Sequence, residues 1–574
     1  MPCDYVLKFD ECSAGIAVES YSGEEQAVLE RHMTNCDSNV FAWRQSDTFT
    51  SEQIGALLSR YSRTSLTGRR LFLKEFYPNK ERGREFFAAW LVDYGDDSIQ
   101  EMVGGLPMAC EFVSNLAAKE IEDSRLGSYI EKSTRYVQFD KKLPDGHYMF
   151  YRDPDILSTR HGDRYISLMD SLFSSYSAAM PKMERYIRDT NRIEDVRFRL
   201  GSSLIGISDM GPKVTEDFGV TEQDLTKAYD NAIKANALDF LRDYLPMSTL
   251  THVGMSMNAR SYENVIQKML ASPLAESVWI GKRMAQELGR LTPSLVKESG
   301  DPRSAAFQKF LKIRAQATSA IVDKIGAPAS GGSGVDLVSY YGMGSGDPDV
   351  AAQVALAAPI IYTFSSGTSM RDAHKAAERL DRSARVELIS AYIGERANRR
   401  HKPGRAFENL EYQFDLKGRI GIYRDIQRHR IGTQERQRFG VSLGYEVRDA
   451  FRDVGIAEDY CSNMDEVKGL YGALQERLPY QAQYAVTFGF NTRWYYRINA
   501  RQLYHLCELR SSPQGHPDYR VLVQKMAAKV AAVHPTVTSK MTYLDSSEKS
   551  LGRLDSEIRI AVKKARLSGA NPPR

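Results

Sequence analysis

Three polar clusters in this 574-residue chain combine residue types suited to holding an anion beside a polar ring. The first is Ile130-Glu131-Lys132-Ser133-Thr134-Arg135-Tyr136. Glu131, Ser133 and Arg135 alternate, so an extended segment would turn an acceptor, a hydroxyl and a guanidinium to one face. That set suits a nucleotide, with its phosphate and polar base edge; it also suits a strand face open to water. The second cluster, Arg428-His429-Arg430, places two fixed positive charges around an imidazole about 290 residues later. Arginine pairs bidentately with phosphate, so the cluster could hold a nucleotide or a dinucleotide cofactor. Basic tripeptides also finish solvated helices, where they complement the helix dipole. The third element, Asn-Ala-Arg, occurs twice, as Asn258-Ala259-Arg260 and Asn499-Ala500-Arg501, each opening a predicted helix. On the second of these helices Arg501 and His505 share a face. Arg510, nine residues from Arg501, should point about 180° away, towards a different ligand or another part of one site.

Two offsets relate the elements that must position these clusters. At a constant 241 residues, Thr251 matches Thr492, Asn258 matches Asn499, Arg260 matches Arg501 and Asn264 matches His505. If Asp123-Ser124-Arg125 is the counterpart of Arg428-His429-Arg430, the upstream offset is 305. The first copy then carries 64 extra residues between its motifs, expected within Asp140 to Asp230, because insertions fall in surface loops. Tyr412, Phe414 and Leu416 alternate as in a half-buried strand, which Gly418 is expected to end. Ile420, Tyr423 and Ile426 follow at helical spacing and put Arg428 to Arg430 at a helix C-terminus. Phe112, Leu116 and Ile121 predict a similar helix leading to Arg125. Met269, which stands where Arg510 stands, reads as core packing. Mixed helices and strands in both copies give an α+β fold class. The Gly/Ser-rich segment 326–334 reads as a linker between a first domain, 1–325, with an N-terminal extension and an internal insertion, and a second, 335–574.

Bulk properties exclude several alternatives. Hydrophobic content of 42% and charged content of 26% are those of a globular protein. A formal charge of +4, from 77 basic and 73 acidic residues, is too small for an obligate nucleic-acid binder, although a local basic pocket for a small anion remains open. The six cysteines are scattered without a Cys-x-x-Cys pair, and the ten histidines form no His-Glu-x-x-His. No metal site is expected, and the thiols read as reduced. No signal peptide or bilayer-length apolar stretch is evident, so a cytoplasmic protein without membrane association is expected.

Together these residues resemble the flavin-dependent thymidylate synthases. That family's signature is Arg-His-Arg-x-x-Ser-x-Asn-Glu-x-Ser-x-Arg-Tyr, followed far downstream by an Asn-x-Arg-x-x-x-Asn/His helix ending in a substrate-binding arginine. The second copy matches its opening at Arg428-His429-Arg430 and the downstream helix from Asn499-Ala-Arg501 through His505 to Glu508-Leu-Arg510. The first copy matches the signature's end at Glu131-x-Ser133-x-Arg135-Tyr136, and also Gly95-Asp-Asp-Ser98 and Leu241-Arg242-x-x-Leu245-Pro246. Each copy departs where the other agrees. Asp123-Ser124-Arg125 replaces Arg-His-Arg in the first, while Gln483 and Thr487 stand for Arg242 and Pro246 in the second.

The resemblance implies two tandem thymidylate synthase-like domains that share one composite site type, in a homodimer mimicking the family's tetramer. It implies reductive methylation of dUMP to dTMP with FAD as cofactor and NADPH and methylenetetrahydrofolate as co-substrates. Arg510 would act catalytically against the uracil edge. Glu131, Ser133, Thr134, Arg135, Arg242 and Arg428 would join it in binding dUMP. Arg428, His429, Arg430, Glu131, Asn499, Arg501, His505 and Ser98 would bind FAD. Two other outcomes fit the altered signature: a different flavin-dependent C5 modification of a pyrimidine nucleotide, or a non-catalytic homologue that binds nucleotide or RNA.

Overall fold

The computed structural model describes residues 5–9, 15–46, 48–49, 51–79, 105–200, 203–206, 218–291, 302–326, 332, 334–547 and 551–567. Ser98, with the rest of the 95–101 match, and most of the 326–334 segment lie outside them. The strands described are, in chain order, β1 Tyr5–Phe9, β2 Gly15–Glu19, β3 Val40–Ala42, β4 Leu106–Ser114, β5 Ser128–Glu131, β6 Arg197–Leu200, β7 Ser203–Gly206, β8 Leu250–Met257, β9 Val335–Tyr340, β10 Glu411–Arg419, β11 Thr433–Arg436 and β12 Asn491–Asn499. The helices that bear on the site are α1 Asn115–Ile121, α2 Gly162–Thr190, α3 Glu222–Leu241, α4 Ala259–Leu270, α5 Ala275–Leu291, α6 Ile420–Ile426, α7 Ala457–Gln475, α8 Ala500–Arg510 and α9 Pro517–Val533.

The duplication is visible in the elements themselves. Adding 305 to β4, α1 and β5 returns the bounds of β10, α6 and β11 residue for residue. Adding 241 to Ala259 gives Ala500, the first residue of α8, and α5 maps onto α9 at an offset of 242. The two four-stranded antiparallel sheets have equivalent orders, β3-β4-β8-β5 and β9-β10-β12-β11. The fold is therefore α+β and built from two tandem copies of one unit, as expected. The extra length of the first copy holds α2 and the β6–β7 hairpin, inside the 140–230 window.

Local chemistry explains the shared element starts. In both copies the asparagine of Asn-Ala-Arg is a helix N-cap. Asn258 accepts from the Ser261 N–H at 2.9 Å, and Asn499 from the Gln502 N–H at 2.8 Å. Tyr412, Phe414 and Leu416 alternate into the core with no exposure. In the first copy β8 is buried along its whole length and packs with α4 and α5 through Val253, Met255, Val265, Ile266, Met269 and Ile280. Met269 is indeed core.

Three local expectations need correction. Gly418 does not end its strand: it pairs with Thr492, and β10 runs on to Arg419. Its lack of a side chain instead makes room for the start of α6, because a Cβ there would sit 3.2 Å from Ile422 Cδ1. Phe112 belongs to β4 rather than to the helix. It occupies a bulge between Cys110 and Val113 with φ of 53°, and its N–H donates to His252 Nδ1 at 3.2 Å. Glu131, Ser133 and Arg135 do not share a strand face. β5 stops at Glu131, and Tyr136 and Val137 both donate to the Ser133 carbonyl, which curls the motif into a turn.

The chain forms two compact units that cut across the copies. One contains 1–329, 439–490 and 554–574; the other contains 330–438 and 491–553. Within the first unit, residues 243–249 pair with their own counterparts. Met247 donates to Val486 at 2.8 Å, Phe488 donates to Leu245 at 2.9 Å, and Pro246 lies opposite Thr487, its partner at the 241 offset. A residue facing its own repeat marks a local twofold axis. No helix among the described residues is long and apolar enough to cross a membrane.

Candidate active site

In the first unit the Glu131 to Arg135 motif is built on a buried charge cluster. Lys119 on α1 is fully buried, and its ammonium sits 3.1 Å from Glu131 and also pairs with Glu122. A buried ammonium must be matched by carboxylate, so this cluster ties the end of β5 to α1. Thr134 is buried, and Ser133 Oγ accepts from the Arg135 N–H at 3.2 Å. Arg135 then reaches Asp239 in the last turn of α3, with Nε at 2.7 Å and Nη2 at 3.0 Å from the two carboxylate oxygens. A fork of this kind fixes the guanidinium plane as well as its position. Arg242, three residues beyond Asp239, opens a 3-10 turn and is 2% exposed. The α3 terminus thus bears on both arginines: it grips Arg135 through Asp239 and carries Arg242 itself.

The second unit gathers a different set. Arg428 is exposed, Arg430 is half-buried, and His429 between them is 5% exposed. All three follow α6 directly, as the spacing predicts. Gln434 on β11 fixes this corner by donating to the carbonyls of Ile426 at 3.2 Å and His429 at 3.0 Å. From α8, Arg510 Nε donates to His429 Nε2 at 2.7 Å, and the His505 ring lies 5.6 Å from that of His429. Arg510 parts from Arg501, as the spacing predicts, but His505 goes with Arg510: both approach one imidazole. Burial, then the charges of Arg510, His505, Lys402 and Arg430, hold His429 well below the usual histidine range. It is neutral and able to accept. Arg501 turns elsewhere, to the Pro403 carbonyl at 2.8 Å and Glu408 at 3.4 Å. Asn499 spends its side-chain oxygen on the helix cap.

Several contributors carried no sequence signal. Asp239 lies 104 residues from Arg135, and Tyr519, whose ring lies 5.4 Å from the Arg510 guanidinium carbon, is on a separate helix. The i, i+3 spacing of Lys119 and Glu122 is the one local clue that was readable.

A family model described as thymidylate synthase complementing protein matches residues 50–294 and 342–536. The chain belongs to this family. The two matched blocks fall on the two copies of the internal repeat, so the family unit is present twice. Relatives extend over nearly the whole chain. A UPF0159 protein of Chlamydia pneumoniae is 32% identical over 94% of this chain and 98% of its own length. A UPF0159 protein of Thermoplasma acidophilum is 32% identical over 89% of this chain and 98% of its own. Among solved structures, a UMP/dUMP methylase of Streptomyces cacaoi bound with 5-Br dUMP aligns at 20% identity and a TM-score of 0.29, covering 36% of this chain and 92% of that one.

Proposed function

We propose that this protein is a flavin-dependent thymidylate synthase that converts dUMP to dTMP, using FAD, NADPH and methylenetetrahydrofolate. One site type draws on residues retained separately by the two copies. The observation that carries this reading is complementary retention at matched positions. Where the first copy has Arg135, Asp239 and Arg242, the second has Gly440, Tyr480 and Gln483. Where the second has His429 and Arg510, the first has Ser124 and Met269. Decay without selection would strike both copies alike.

The residue chemistry supports a division of labour. Arg135, oriented by Asp239, and Arg242 bind the nucleotide phosphate, with Ser133 and Thr134 completing the turn beside it. Glu131 anchors that turn through Lys119. Arg510 stabilises negative charge at the uracil N3/O4 edge as electrons arrive. Arg428 and Arg430 form a donor-only set, which fits the pyrophosphate of FAD. His505 and Arg501 on α8, with Asn499 as its N-cap, would hold FAD from this side, and Ser98 would be a further contact. Bound FAD would supply the reducing equivalents that turn the transferred methylene into a methyl. Two chains form a dimer with half the family's usual number of sites.

The test is product analysis with purified protein, FAD, NADPH, dUMP and carbon-labelled methylenetetrahydrofolate. Labelled dTMP is expected. Flavin reduction without labelled dTMP would overturn the reading, and a different labelled pyrimidine would assign another C5 modification.

A further inference from the structure

We propose that His429 is the positioning residue of Arg510: its imidazole accepts the Arg510 Nε–H and, with the Tyr519 ring, locks the guanidinium in the plane needed at the base edge. The inference rests on the reading of Arg510 given above and adds to it the device that orients the arginine.

The geometry is specific. Arg510 is the last residue of α8, where a long side chain would ordinarily sweep many rotamers. Here two contacts restrict it. Nε donates to His429 Nε2 at 2.7 Å, and the guanidinium carbon lies 5.4 Å from the Tyr519 ring centre on α9. The hydrogen bond fixes the Nε edge, and the ring constrains the face by a cation–π contact. An acceptor is required at Nε2, so that nitrogen must be unprotonated and Nδ1 must carry the hydrogen. The surroundings enforce this state, since His429 is 5% exposed and faces Arg510 and His505 from α8, Lys402 from the preceding loop and Arg430 beside it.

The first copy gives independent support. At the matched offsets, Ser124 replaces His429, Met269 replaces Arg510 and Ser277 replaces Tyr519. Met269 and Ser277 are buried there. All three members are absent together, as expected of parts with one shared task.

The test uses full-length protein with His429→Leu, which removes the acceptor, and His429→Gln, whose amide oxygen can occupy the position of Nε2. For Leu, kcat per bound flavin should fall about 100-fold, the scale set by mispositioning a catalytic group, while KM for dUMP changes little. Gln should recover most of that loss. Equal loss in both variants together with loss of flavin would overturn the positioning role, as would a Leu variant with wild-type kcat. A readout independent of turnover is the nitrogen-15 spectrum of labelled histidine in the wild-type protein. A hydrogen-bonded, unprotonated Nε2 supports the proposal, and a protonated Nε2 overturns it. If the wild type itself makes no dTMP, the functional reading falls, and this spectrum still decides the bond.

Discussion

Arg135 and Asp239 form a two-point ion pair, 2.7 and 3.0 Å long, that joins the motif after β5 to the last turn of α3. Both side chains are nearly buried, at 11% and 7% exposure. The pair holds an arginine that leaves a turn in one orientation, as its proposed role as phosphate ligand requires. Arg135→Ala should weaken dUMP binding about tenfold or more, the worth of charged hydrogen bonds, with FAD affinity little affected. Nucleotide and flavin titrations would check this, and an unchanged dUMP affinity would remove Arg135 from the site.

Asp239→Ala tests the same pair from the other side. It leaves a largely buried guanidinium without its carboxylate, which costs about 3–5 kcal/mol. Denaturant melts should show that loss, and dUMP affinity should fall with it because Arg135 is no longer oriented. A variant of unaltered stability would mean the pair contributes nothing to the fold.

Arg510→Ala should abolish dTMP synthesis while flavin stays bound, because Arg428 and Arg430, the proposed cofactor ligands, are untouched. Retained turnover with normal flavin content would contradict the assigned role.

What the sequence made readable follows physical range. The 241 and 305 offsets, the asparagine caps and the core alternation of Tyr412, Phe414 and Leu416 all depend on neighbours within a few residues. Asp239 and the bond from Arg510 to His429 depend on contacts 81 residues apart or more, and Tyr519 meets Arg510 only because α9 folds back on α8; one sequence holds no record of either. The strand face assigned to Glu131, Ser133 and Arg135 failed for a related reason. Alternation is a period-2 signal, but the Ser133 carbonyl collects two turn hydrogen bonds that override it. Phe112 misled because a bulge set by His252, 140 residues away, moves the helix start to Asn115.

Glu276 on α5 makes a pH prediction. It is fully buried, and burial lifts its carboxyl from 4.5 to about 7 despite donors from Ser114 and Tyr484. The unfolded chain releases this proton near 4.5, whereas the folded chain keeps it to about 7. Between those values the folded state binds more protons, so stability falls as pH rises. Glu276→Gln should remove roughly 3 kcal/mol of that decline, leaving the parts due to Glu111 and Asp153, which burial also raises to about 7. Urea melts across pH 4.5–7 would check it, and identical slopes in variant and wild type would refute the assignment.

The proposed complementary retention also predicts a stoichiometry. If each copy kept a whole site, saturating dUMP would fill two sites per chain; if the sites are composite and half have decayed, it should fill one. Met269→Arg sharpens the point. Met269 is 1% exposed inside an apolar cluster, so an arginine there should cost several kcal/mol as an unmatched buried charge, and the first copy has Ser124 at the position matching His429. The variant should lose stability and still bind one nucleotide per chain. Calorimetric titration of wild type and variant gives both numbers. Two equivalent dUMP sites on the wild-type chain would show that each copy is competent by itself, and the division of labour between Arg135 and Arg510 would have to be abandoned.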